Sequence, residues 1–283
     1  MAMHERSVFM EQTLSQIQYA QLKKLLQYHD YFAINREMQQ EKLRLNLRFM
    51  MCLELVQAMI TVDIPKINES AKSLGFNSLL SETILEQKSY CYLQAMTIKL
   101  IRREYSDYLR GLTPLLVDVL RVLIEHEFLP ELSQYMELVE KETKQGEKLY
   151  RGIQWSKDKI ESDNNIIRRA WQKYYGNYFN YDQYVSSSHL IKLIETYSNN
   201  SQVIEITANI RQIEKYLRNL VAHEVVNVDE TFFQKRIGYS PQQVHDLLIE
   251  LFKIAGMTNE HQLYSIKWLN NTLNQYLDQQ FNK

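Results

Sequence analysis

Arg218-Asn219-Leu220-Val221-Ala222-His223 places a permanent cation, an amide and an imidazole within about two helical turns. No other segment of the chain offers a comparable set of groups. On a helix, Asn219 and His223 stand four residues apart and share a face. Arg218 lies one step round, and its long side chain reaches the same place, while the small Ala222 lets another helix come close. Arg211, Lys215 and Arg218 form a basic stripe at helical spacing. A phosphodiester docked there meets a guanidinium fork, a neutral amide and an imidazole.

Those residue types suit metal-free cleavage of RNA. The ribose 2′-hydroxyl is an internal nucleophile already held beside the phosphorus. His223 can move a proton because an unperturbed imidazole titrates near neutrality. Arg218 can stabilise the negative charge that builds on the phosphate. Asn219 can orient His223 or the substrate, and Arg211 and Lys215 are the candidate substrate-binding cations. One histidine is thin for acid and base together, so two copies facing across a homodimer are expected to supply the pair.

A purely structural reading competes with this one, since Arg and His near a helix C-terminus also complement its dipole. The spacing alone is weak: Arg121-Val122-Leu123-Ile124-Glu125-His126 repeats it. That copy lacks the Asn and carries Glu125, which opposes an anion, so it is read as structural. The histidines at 4, 29, 126, 189, 245 and 261 show no HxxxH spacing, and no metal is expected. There is no P-loop, dinucleotide fingerprint or GxSxG, so no cofactor is expected either. The cluster Tyr174, Tyr175, Tyr178, Phe179, Tyr181 and Tyr184 can stack bases, but packing or a dimer surface is the commoner use of such a cluster. Arg168, Arg169 and Lys173 are read as a solvated face rather than an RNA guide.

The elements that must position these groups are helices. The chain has 283 residues, 45% hydrophobic and 24% charged, with only 7 Gly and 4 Pro, so it is globular and its elements should be long. Its net charge of −1 neither demands nor forbids nucleic acid. Cys52 and Cys91 show no CxxC spacing and are expected to be small buried hydrophobes in a reducing cytosol. No signal peptide or membrane-length apolar run is visible, so a cytoplasmic protein with no membrane partner is expected. Periodicity predicts helices over 8–26, 43–60, 81–110 (ended by Gly111), 113–128 (opened by Thr113-Pro114), 160–174, 189–197, 202–223, 241–255 and 260–277. Strand signals are nearly absent; Val225-Val226-Asn227-Val228 is β-prone but has no partner. The fold class expected is all-α, in two domains over 1–148 and 149–283, divided near the polar run 140–148.

The motif Arg218-Asn219-x-x-Ala222-His223 resembles the signature of the HEPN ribonucleases. Residues 210–217, the motif, Glu224-Val225-Val226, and 231–252 with Ser240-Pro241 resemble the end of the type III-A CRISPR ancillary ribonucleases, the Csm-six family. The likeness is clearest over 177–256. It implies a C-terminal HEPN bundle after a helical linker domain, and dimerisation that joins two motifs in one site. It also implies metal-independent cutting of single-stranded RNA to a cyclic phosphate, with Arg218, Asn219 and His223 catalytic. That family normally begins with a CARF domain that senses cyclic oligoadenylate. No alternating strand–helix pattern of that kind is seen here, so cyclic oligoadenylate is an expected partner only if a CARF domain lies upstream in the full-length protein. The alternative function is a non-catalytic helical RNA-binding or scaffold dimer; a third is a HEPN toxin restrained by an antitoxin.

Overall fold

The computed structural model describes residues 14–162 and 164–282. The start of the helix expected from residue 8 lies outside them. In chain order the helices are α1 (Gln16–Gln27), α2 (Tyr31–Gln40), α3 (Leu47–Thr61), α4 (Ile64–Leu74), α5 (Ile84–Ile101) and α6 (Tyr105–Glu127). Strands β1 (Met136–Glu142) and β2 (Lys148–Trp155) follow, then α7 (Lys157–Ser162), α8 (Ile166–Tyr175), α9 (Ser187–Tyr197) and α10 (Ser201–Ile213). A π-helical turn, Glu214–Arg218, leads into α11 (Asn219–His223), α12 (Glu230–Ile237), α13 (Pro241–Ile254), α14 (Glu260–Leu263) and α15 (Ser265–Phe281). The fold is all-α apart from the one hairpin.

Two compact units divide the chain. The first is Met1–Arg102 together with Asn259–Lys283, so the C-terminal helix returns to the N-terminal helices. Leu22, Leu26, Phe49, Leu53 and Val56 share its core with Leu269, Leu273 and Leu277 of α15. Cys52 and Cys91 are free and buried there, and burial pushes their thiols up to about 12 and about 11. The second unit, Arg103–Thr258, holds α6, the hairpin and α7–α13. Among the described residues no helix is long and apolar enough to cross a membrane.

Several helix ends follow the local chemistry of the sequence. Ser186 accepts the His189 N–H at the start of α9, Asn200 accepts from Gln202 and Val203 at α10, and Ser240 forms a capping box with Gln243 at α13. Gly256 takes φ +84° just past α13.

Three expectations are corrected. The break expected at Gly111 occurs earlier, where Arg103 turns left-handed at φ +58°, and α6 runs through both Gly111 and Pro114. An internal proline costs a helix about 3 kcal/mol. Leu112, Leu115, Leu116, Val119 and Leu123 are all at most 2% exposed, and each fully buried side chain returns roughly 1.5–3 kcal/mol, so packing overrides the break. The helix expected over 160–174 is interrupted between α7 and α8, where Asn165 caps α8 through the Arg168 N–H. The run 140–148, expected as a domain boundary, is the end of an antiparallel hairpin that pairs Met136 with Trp155 and Glu142 with Lys148. The Thr143 N–H donates to Glu147 O across its turn, and Gly146 sits at φ +82°. The compact units divide at residues 102/103 and 258/259 instead. Val225, by contrast, is fully exposed and belongs to no strand.

Candidate functional site

The motif lies where one long helix changes pitch. From α10 onward Ile206, Ile210, Ile213, Leu217 and Val221 are buried, none more than 4% exposed. A π turn falls within this stripe: the Asn219 N–H donates to Glu214 O, five residues back. The π turn and α11 pack against α6, so the buried stripe faces that helix while the polar residues stay outside. Single π turns of this kind recur at functional sites.

Each expected site residue can now be placed. Asn219 and His223 are exposed. His223 ends α11 and makes no hydrogen bond or ion pair among the described residues. Arg218 is half-buried; its Nη1 donates to the Asn219 Oδ1 at 3.3 Å, and its Nε is buried without a hydrogen-bond partner. The guanidinium is thus oriented by a neutral amide, and among the described residues no carboxylate compensates its charge. Lys215 is exposed, its ammonium 5.3 Å from the centroid of the half-exposed Tyr216 ring. Arg211 is drawn elsewhere: its Nη1 pairs with Glu214 Oε2 at 2.7 Å.

Glu214 was not anticipated. It is 3% exposed. Its carboxylate accepts from Thr113 Oγ1 of α6 at 2.5 Å and from Ser187 Oγ of α9 at 2.6 Å, besides Arg211. Thr113, expected to cap a helix, spends its hydroxyl here. The available signal was a carboxylate on an otherwise apolar stripe, four residues after Ile210.

The second Arg-x4-His run has a different environment. Arg121 pairs with Asp118 at 3.5 Å, both side chains under 15% exposed. The His126 Nδ1–H donates to Ala255 O at 2.8 Å, and a Cβ on Gly256 would stand 2.9 Å from that nitrogen. Burial raises the Glu125 carboxyl above its usual range, against the opposing pull of Arg121 and His126.

Two further histidines of this unit are interior. His189 accepts the Trp155 indole N–H on Nδ1 at 3.2 Å, and burial, with Lys192 adding to it, pushes its pKa down to about 4. His245 meets the Tyr108 hydroxyl at 3.3 Å and is lowered by burial to about 4. The aromatic cluster packs around His189: Trp171 stacks on Phe179 at 4.7 Å, with Tyr175 edge-on to both. Tyr178 points outward, 91% exposed. Arg168 and Arg169 donate to the carbonyls of Glu161 and Asn164. Among the described residues no group of three or more His, Cys, Asp or Glu is placed to hold a metal ion.

The chain matches the family described as the Cas_Csm6 HEPN domain over residues 78–274. Among solved structures, Csm6 of Enterococcus italicus, bound to cyclic hexa-2′-fluoro-hexa-dAMP, has a similar fold: the TM-score is 0.62 at 14% identity. The likeness covers 92% of this chain and 57% of that one, so this chain spans little more than half of that relative's length. No match to a curated protein was found.

Proposed function

Since this chain belongs to the Csm6 HEPN domain family, we propose that it is a metal-independent endoribonuclease for single-stranded RNA, acting in type III CRISPR antiviral defence. The observation that carries this reading is the state of the motif. Arg218, Asn219 and His223 are presented from one π-to-α junction, and among the described residues no carboxylate neutralises the cation and no partner engages the imidazole.

In the proposed reaction the 2′-oxygen attacks the adjacent phosphorus and the P–O5′ bond breaks, giving a 2′,3′-cyclic phosphate and a 5′-hydroxyl. One imidazole accepts the 2′-hydroxyl proton and a second delivers a proton to the departing O5′. Two His223 side chains, one from each protomer of a homodimer, supply that pair. Arg218 holds the charge on the non-bridging oxygens. Asn219, already bonded to the guanidinium, keeps it directed. Exposed Lys215 steers the backbone. Arg211 is better assigned to Glu214 than to substrate.

The Enterococcus relative carries a cyclic hexa-adenylate analogue. Among the described residues the two-stranded hairpin is the only sheet. Cyclic oligoadenylate is proposed as a partner only if a CARF domain is present upstream in the full-length protein.

Incubation with single-stranded RNA in EDTA tests the reading. Cleavage to cyclic-phosphate ends is expected, with loss in His223→Ala and in RNA carrying a 2′-deoxy nucleotide at the cut. Intact RNA, with binding that weakens in Arg218→Ala, would instead establish the non-catalytic RNA-binding dimer.

A further inference from the structure

We infer that Glu214 is a positioning residue for the motif: its buried carboxylate holds the π turn that aims Arg218 and Asn219 outward. The inference deepens the ribonuclease reading and rests on it for its catalytic consequence, but its geometric content stands apart.

Three features support it. Glu214 is the first residue of the π turn, and its carbonyl accepts the five-residue hydrogen bond from Asn219. The same residue's side chain is tied to three helices at once, through Thr113 of α6, Ser187 of α9 and Arg211 of α10. The backbone bond that defines the turn and the side-chain clamp therefore share one residue. A regular α-helix would carry that N–H bond one residue later, to Lys215 O, and rotate everything downstream. Finally, a buried ion pair is a poor device for stability, because a well-packed apolar residue of similar size commonly does as well or better. A carboxylate with three donors fixes direction, which an apolar side chain does not.

Arg211 acquires a different role from the one its position on the basic stripe suggested. Its guanidinium neutralises Glu214 from the partly exposed side, with a side chain 37% exposed against 4% for Glu214. Substrate phosphate would have to compete with that carboxylate for it.

The test compares Glu214→Gln and Glu214→Leu with the unaltered protein, using crystal structures and single-turnover cleavage of a short RNA. Glu214→Gln keeps the volume and loses the charge; Glu214→Leu removes the clamp altogether and remains foldable if Gln does not. The expected structural result is that the Asn219 N–H moves from residue 214 to Lys215 O in at least the Leu variant. The expected kinetic result is a cleavage rate lowered 10- to 100-fold, with affinity for a 2′-deoxy RNA changed less than threefold and the folded fraction measured by circular dichroism unchanged. Glu214→Asp, which retains charge at shorter reach, should recover part of the rate. A π turn that persists in both variants overturns the inference, as does a rate that falls only in proportion to the unfolded fraction. If the unaltered protein leaves RNA intact, the ribonuclease reading fails while the hydrogen-bond shift still decides the role of Glu214.

Discussion

Arg121–His126 and Arg218–His223 have the same spacing on helices of the same unit, yet they meet opposite fates. In the first, Asp118 neutralises the cation and Ala255 O occupies the imidazole. In the second, among the described residues, the cation meets only an amide and the imidazole at the helix end has no bonding partner. Spacing brings two side chains into register, but reactivity depends on what else their charges and protons are already bonded to. A guanidinium engaged with a carboxylate has little left for a phosphate. One engaged with a neutral amide keeps its full charge and gains a fixed direction.

Exchanging residues between the two copies probes that difference most directly. His223→Ala should lower RNA cleavage by roughly 10³-fold with the fold intact. His126→Ala should leave the rate within about twofold and cost on the order of 1 kcal/mol of stability through the lost bond to Ala255. Equal losses in both would erase the distinction.

Arg218→Lys comes next. A lysine keeps the charge and loses the fork that bonds Asn219, so the rate should fall roughly 10²-fold. Arg121→Lys should retain the pair with Asp118 and near-normal cleavage. Parallel single-turnover measurements separate the two.

A pH series sharpens the contrast between the free His223 and the interior histidines. His189 and His245 have folded-state values near 4 against about 6.5 in an unfolded chain. Between those values the unfolded state binds more protons. Their contribution is complete above about pH 6.5 and is lost as pH falls toward 4, on the order of 3 kcal/mol for each. Urea midpoints should therefore drop across that window, and less so in His189→Gln. A flat profile would contradict the burial argument.

The smallest effect is electrostatic. Lys215→Ala should weaken RNA binding severalfold and reduce the salt-dependence slope by about 0.7, the value for one lost phosphate contact on a single strand. Arg211→Ala should leave that slope unchanged, because its partner is Glu214. A slope change in Arg211→Ala would return that residue to the substrate.

Much of this was legible in the chain. Ser186, Asn200 and Ser240-Pro241 mark their helix starts because capping is local chemistry, written within four residues. The Arg-Asn-x-x-Ala-His motif was legible for the same reason, and so was the decoy, through its missing Asn. The hairpin was not. Its strands are exposed along most of β1 and half of β2, so charged residues take positions where alternation would otherwise show. Lys144-Gln145-Gly146 held the turn signal. The run through Gly111 and Pro114 was also hidden, because long-range leucine packing outweighed two local breakers.

The linear order of residues settled which groups are present, that they ride on helices, and that Asn219 adjoins Arg218 with His223 about one helical turn further on. Side-chain chemistry and helical period are properties of a few neighbouring residues. Tertiary structure decided how firmly each cation is held. Asp118 and Glu214 each lie three residues from the arginine they pair with, so those pairs are local. Packing buries both carboxylates and brings Thr113 onto Glu214 from about a hundred positions away, and a buried pair is screened far less by solvent and salt than an exposed one.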